Sequence, residues 1–205
     1  SVRLTTHADI DGILFTGSWP VGRKILEANL DNPGRIIALE LGGNNPALVM
    51  DDADFRQAAI ECVRAAFVTT GQRCTCTRRV IVHERIADRF IGVISKIASA
   101  LVIGDPVDGV DGGAAFMGPI IREEAREAVV RFQRDLVAGG GRVVHEAKKI
   151  DHPSGGHYVS PGIVRVGRFS LDQDPAHDCG CDMEVFGPML RVSTCGSFED
   201  GLEQV

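Results

Sequence analysis

Strands and helices alternate along this chain, which predicts an α/β fold with a parallel sheet and helices on both faces. Three observations carry that expectation. Short runs such as Arg79-Val-Ile-Val-His83 are rich in β-branched residues. The segments between such runs repeat apolar residues at helical spacing, and clusters of Gly, Pro and Asn mark the joints.

In order, Gly12-Ile-Leu-Phe15 reads as a buried strand and Thr16-Gly17-Ser18 as a turn. A helix follows from about Pro20 to Leu30, with proline in its first turn and Asn32-Pro33-Gly34 beyond its end. Ile36-Ile-Ala-Leu-Glu-Leu41 holds five apolar residues around one acid, the pattern of a strand covered on both faces. Gly42 and Gly43 let the backbone turn at its end, where open α/β sheets place their ligand crevice. Pro46-Ala-Leu-Val-Met50 is a second apolar run. Asp51-Asp-Ala-Asp54 caps a helix in which Ala58, Cys62, Ala65 and Ala66 recur, and that helix leads to Cys74. After the strand at 79–83, Ile86, Phe90, Val93, Ile94 and Ile97 give a helix its apolar stripe, and Gly104-Asp105-Pro106 stops it. A further helix spans Glu123 to Ala138, with three glycines beyond it and a short strand from Arg142 to Val144. The stretch 146–183 reads as loop around the strand Pro161 to Val166.

Glu40 and Cys74 are the residues with chemical promise. An unpaired carboxylate is costly to bury, and a semi-buried carboxyl suits general-base work. The competing reading of Glu40 is a strand-end acid turned to solvent. Cys74 follows Gly71-Gln72-Arg73. A cysteine at a helix end is by itself equally a small buried hydrophobe, because only an activated thiolate reacts.

Leu39-Glu40-Leu41-Gly42-Gly43 resembles the glutamate motif of the NAD(P)-dependent aldehyde dehydrogenases, and Phe67-x-x-x-Gly71-Gln72-x-Cys74 resembles their cysteine motif. The interval of 34 residues from acid to thiol matches the family's. Phe15-Thr16-Gly17-Ser18 with Gly22, and Glu184-Val-Phe186-Gly187-Pro188, match two further motifs in the same order. Four motifs in register weigh far more than any one alone. The resemblance implies that residues 1–40 are the closing β-α-β piece of a Rossmann-like cofactor domain, and 41–205 an incomplete catalytic domain. The chain begins with Ser1 and matches an internal portion of the longer family chains. Upstream the resemblance puts the asparagine that completes the oxyanion hole and the lysine on the adenosine ribose. Downstream it puts the strand used in oligomerisation, so the full-length enzyme is expected to be a homo-oligomer.

The same resemblance assigns the chemistry. Cys74 is the nucleophile that attacks the aldehyde, hydride passes to NAD, and Glu40 activates the water that hydrolyses the resulting thioester. The Cys74 backbone N–H is one oxyanion donor. Gly17 and Ser18 are expected at the cofactor pyrophosphate, at a helix N-terminus. Gly22 lets that helix pack closely, Glu184 takes the nicotinamide ribose, and Phe186 lies beside the nicotinamide ring. Taken singly, Gly17-Ser18 is an ordinary tight turn and Glu184 a solvated loop acid. Asn44-Asn45-Pro46, where the family commonly has lysine after the glycines, and Arg73-Cys74-Thr75-Cys76 resemble the N-succinylglutamate 5-semialdehyde branch, of bacterial arginine catabolism. A substrate with two carboxylates needs cationic partners. Arg73 and Thr75 are the candidate contacts, with Arg78 and Arg79 close by in sequence. Arg73 is equally read as bracing the loop.

Composition bounds the alternatives. A net charge of -6 argues against a nucleic-acid role. With no apolar run near 18 residues and no signal-like N-terminus, a cytoplasmic enzyme with no membrane part is expected. Six cysteines without a secretory signal suit reduced thiols better than a disulfide framework. Cys74-x-Cys76 and Cys179-x-Cys181, with His177 nearby, can be drawn around zinc, but the spacing is atypical and no metal is expected. His145, His152 and His157 are read as surface residues. Two further readings stand beside the first: a dehydrogenase for another acidic semialdehyde, and a folded, non-catalytic piece of such an enzyme.

Overall fold

The computed structural model describes residues 2–109, 113–171 and 180–205. The chain divides into two compact units, Ser1–Gly43 and Asn44–Val205.

The smaller unit opens with a one-turn helix, α1 (Val2–Thr5), followed by β1 (Gly12–Thr16), α2 (Trp19–Glu27) and β2 (Ile36–Glu40). β1 and β2 pair in parallel from Gly12↔Ile36 to Thr16↔Glu40. The Gly17 amide extends this ladder by donating to the Glu40 carbonyl at 3.0 Å. α2 ends three residues before the expected Leu30. The Ala28 amide donates back to Lys24, and the Asn29 side chain to the Ile25 carbonyl at 2.7 Å, which satisfies the last turn.

Gly22 and Ile25 are the buried residues of α2, and a Cβ at Gly22 would come within 2.8 Å of Leu41 and 3.4 Å of Leu39. That packing covers one face of β2. The other face is open, with Ile36 70% and neighbouring Leu14 86% exposed, so the expectation of cover on both faces is corrected. An apolar run signals what a strand can bury, and this unit holds one layer of helix for a two-stranded sheet.

The larger unit runs β3 (Asn45–Val49), α3 (Phe55–Phe67), β4 (Thr77–His83), α4 (Glu84–Ser99), α5 (Glu123–Ala138), β5 (Arg142–His145), β6 (Lys149–Ile150), β7 (Tyr158–Val159), β8 (Gly162–Arg165), β9 (Met189–Cys195) and α6 (Phe198–Glu203). Its sheet has the order β3-β4-β9-β8-β5. All neighbours are parallel except β5, which runs antiparallel to β8 at the edge. The chain returns from β5 through the short β6–β7 ladder rather than through a crossover helix, so β5 is an antiparallel edge on an otherwise parallel sheet.

Helices lie on both faces. Val80 and Val82 of β4 and Leu190 and Val192 of β9 pack with Phe67 of α3 and Phe90 and Ile94 of α4. On the opposite face Val164 and Met189 meet Val129, Phe132 and Leu136 of α5, while Ile81 meets Phe169 and Cys195. The central strand β9 is not announced by periodicity, because Arg191, Ser193 and Thr194 interrupt its apolar run. It is buried all the same. Ser193 donates to Gln204 Oε1 at 2.8 Å and Arg191 Nη2 to Asn44 Oδ1 at 2.5 Å, so those polar groups keep partners inside. Among the described residues no helix is long and apolar enough to cross a membrane.

Candidate active site

α3 delivers the chain to Cys74. Asp54 caps its N-terminus by accepting from the Gln57 amide at 3.0 Å, and Ala59, Cys62, Val63, Ala66 and Phe67 face the core. Burial pushes the Cys62 thiol up to about 11. Beyond Phe67 the backbone makes a 3-10 turn, Val68–Gly71, in which Thr69 (φ 53), Thr70 (φ 56) and Gly71 (φ 67) are all left-handed. Two β-branched threonines in that region are unusual and cost conformational energy. The Thr70 hydroxyl holds its place by donating to the Gly118 carbonyl at 2.9 Å. Gln72 accepts from the Ile121 amide at 2.9 Å. At Gly71 a Cβ would lie 2.3 Å from the Gly187 carbonyl oxygen, so only glycine allows this turn to touch the 184–188 segment.

Cys74 is half-buried, with Arg73 and Thr75 exposed on either side and Cys76 buried. The Cys76 amide donates to the Arg73 carbonyl at 3.2 Å, closing a tight turn around the thiol. Asn45 Nδ2 donates to the carbonyls of Cys74 at 2.6 Å and Cys76 at 3.1 Å. From beneath, Arg78 donates to Gly71 at 2.7 Å and Gly187 at 3.0 Å through Nη1, and to Arg73 at 3.1 Å through Nη2. Among the described residues, neither the amide nor the thiol of Cys74 donates a hydrogen bond.

Arg78 joins this loop to the segment carrying Glu184 and Phe186. Its Nη2 lies 3.9 Å from Glu184 Oε1, and its guanidinium carbon 5.6 Å from the Phe186 ring centroid. Burial draws the guanidinium below its ordinary value, while the charges of Cys76, Glu184 and Cys74 oppose that shift. Phe186 is 47% exposed, unlike the core phenylalanines.

The structure parts the three arginines. Arg73 is solvent-facing and makes no side-chain hydrogen bond or ion pair among the described residues. Arg78 and Arg79 are 1% and 8% exposed, so neither offers a free cation to a substrate. Arg79 is structural: it donates to Asn44, Gln204 and Val205 carbonyls and lies over Phe169. Thr75 has no side-chain partner among the described residues.

In the smaller unit, Ser18 is the residue before α2. Its carbonyl accepts from Val21 and Gly22, while its exposed side chain makes no capping bond. A Cβ at Gly17 would meet the Phe15 ring at 2.4 Å. Glu40 ends β2 with its carbonyl on Gly17 and its side chain exposed, in place of the semi-buried carboxyl read from the apolar run.

The aldehyde dehydrogenase family model matches residues 1–205. This chain belongs to the aldehyde dehydrogenase family. It is 36% identical over 202 residues to N-succinylglutamate 5-semialdehyde dehydrogenase of Sphingopyxis alaskensis, a match covering 98% of this chain and 39% of that aldehyde dehydrogenase. It is 39% identical over 200 residues to N-succinylglutamate 5-semialdehyde dehydrogenase 1 of Caulobacter vibrioides, covering 97% and 39%. Among solved structures, PnpE in complex with nicotinamide adenine dinucleotide matches with a TM-score of 0.86 and 33% identity, over 99% of this chain and 39% of that one. The chain thus spans about 39% of the length of the curated relatives it matches.

The sequence offers Asn45 only as part of a motif and Arg78 only as a nearby cation, with no role beneath the Cys74 loop. Nothing in an Arg-Arg pair on a strand tells which side chain turns under the loop. Cys179 and His177 lie outside the described residues, and Cys181 is buried, accepting from Arg79 at 3.7 Å. His145, His152 and His157 are partly exposed at the surface, each with a partner: the Pro161 carbonyl, the Ser154 hydroxyl and the Glu123 carboxylate.

Proposed function

We propose that Cys74 and Glu40 are the nucleophile and the deacylating base in the NAD-dependent oxidation of N-succinyl-L-glutamate 5-semialdehyde to N-succinyl-L-glutamate. The observation that carries this reading is the Cys74 loop. Its carbonyls are tied down from beneath, while among the described residues the thiol and its own amide stay uncommitted. In this reading the thiolate attacks the aldehyde carbon and the Cys74 N–H meets the developing oxyanion. Collapse of the thiohemiacetal expels hydride and leaves a thioester on Cys74. Glu40 then takes a proton from the water that attacks this thioester.

NAD, when bound, supplies the hydride acceptor. The residues present fit a dinucleotide. The exposed Ser18 hydroxyl makes no capping bond and, among the described residues, no other, at a helix start that bears no acid in its first turn. Glu184 keeps lone pairs beyond its long contact with Arg78, and Phe186 offers an exposed ring. Gly22 serves by letting α2 lie against Leu41. Residues 1–40 then belong to the cofactor domain and 41–205 to the catalytic domain of a homo-oligomeric, cytoplasmic enzyme. The names of the two bacterial relatives support the choice of substrate.

The test is a panel of semialdehydes with NAD and NADP, using the full-length protein. The succinylated substrate should give the highest kcat/KM, and a higher value for another acidic semialdehyde would replace it. Arg73→Ala should raise KM for the succinylated substrate more than for an uncharged aldehyde, and equal effects would remove the carboxylate role. A second reading, that residues 1–205 alone are folded but non-catalytic, is favoured by the open apolar face at Leu14 and Ile36. It expects no reduced cofactor from that polypeptide.

A further inference from the structure

We infer that Arg78 is the positioning residue that aims the Cys74 backbone N–H at the reacting oxygen. The inference rests on the reading of Cys74 as nucleophile and adds the device that orients its oxyanion donor. A peptide unit is planar and trans, so the Arg73 carbonyl and the Cys74 N–H lie in one plane and point in opposite directions. Whatever holds the carbonyl therefore sets the direction of the N–H.

Two donors hold it: the Cys76 amide at 3.2 Å and Arg78 Nη2 at 3.1 Å. The first belongs to the same turn and would move with it. Arg78 does not, because it springs from the sheet strand β4, is 1% exposed, and is fixed by the carbonyls of Gly71 and Gly187. Its guanidinium thus refers the Arg73–Cys74 peptide to the sheet and to the Glu184–Phe186 segment together. Asn45 anchors the next carbonyl, that of Cys74, so the peptide planes on both sides of the nucleophile are held. The Cys74 N–H itself is left with no acceptor among the described residues. An arginine suits this work because its planar fork serves several carbonyls at once, which a lysine ammonium on a flexible stem does not.

The test separates aiming from simple support of the loop by comparing two reactions of the same thiol. Acyl transfer from an activated aryl ester to Cys74 passes through a tetrahedral oxyanion. Alkylation by iodoacetamide is a displacement at carbon and makes none. Both are followed without cofactor by peptide mass mapping at Cys74, in the full-length protein and in its Arg78→Lys and Arg78→Gln variants.

The expected result is a fall of at least about tenfold in acylation, with alkylation changed by less than about threefold. Equal falls in both rates, or no fall in either, overturn the inference. If Arg78→Gln does not fold, Arg78→Lys decides. A wild-type protein alkylated at Cys74 but never acylated also overturns it, while leaving Cys74 as the nucleophile. A Cys74 inert to both reagents sinks the proposed function itself and the inference with it.

Discussion

Around Cys74 the carbonyls of Arg73, Cys74 and Cys76 are held by the side chains of Arg78 and Asn45, whereas Glu40 stands exposed at the end of a two-stranded sheet with one open apolar face. The contrast separates two ways of holding a reactive group. In unit 44–205 a five-stranded sheet with helices on both faces supplies a rigid floor, and the strained turn at Thr69 and Thr70 is affordable because that floor overdetermines it. In unit 1–43 the strand and helix are formed, but the packing around them is a single layer. Placement of the proposed nucleophile is thus written into its local fold, whereas the proposed base stands on a single-layered piece.

The largest effects should come from the two proposed reacting groups in the full-length protein. Cys74→Ala should lower turnover by more than about a thousandfold. Glu40→Gln should lower it by about a hundred- to ten-thousandfold while leaving one rapid equivalent of reduced cofactor, because only deacylation needs the base. Loss of that first equivalent would reassign Glu40.

Next comes the core of the larger unit. Phe90, fully buried and edge-on to Phe55 at 5.6 Å, should cost about 3–5 kcal/mol on truncation to Ala, read by urea unfolding. Gly71→Ala must accept both a left-handed φ and a clash with Gly187, and should cost about 2–3 kcal/mol. Removing the α3 cap by Asp54→Ala should cost about 1 kcal/mol. Smallest of all, Leu14→Ala on the open face should stay within about 0.5 kcal/mol in residues 1–205. A larger loss there would mean that the face is covered after all, and the contrast between the units would weaken.

Much of this was legible in the residues. The β-α-β piece and the long helices α4 and α5 follow from periodicity, which local physics sets, and the four motifs in order follow from the family resemblance. β9 was hidden because Arg191 and Ser193 break its pattern, and their partners Asn44 and Gln204 are remote in sequence. Arg78 was grouped with Arg73 and Arg79 as a source of positive charge. Its burial under the cysteine loop depends on how β4 enters the sheet, and that is tertiary information. The sequence leaves Glu40 open between a semi-buried carboxyl and a strand-end acid in solvent, because an apolar run reports a capacity for burial and its fulfilment needs a second layer.

The place of β9 also bears on how the chain acquires its shape. Arg79 of β4 is in register with Arg191, and Gly162 of β8 with Met189, so the strand that joins the two pairs is made after both of them. Until residues 189–195 emerge from the ribosome, β3–β4 and β5–β8 are separate pairs with unsatisfied edges. Closure then requires contacts across more than a hundred residues, a topology that folds slowly. A ribosome stalled before Met189 would therefore carry two adhesive half-sheets, and chaperone demand should peak there and fall once β9 inserts.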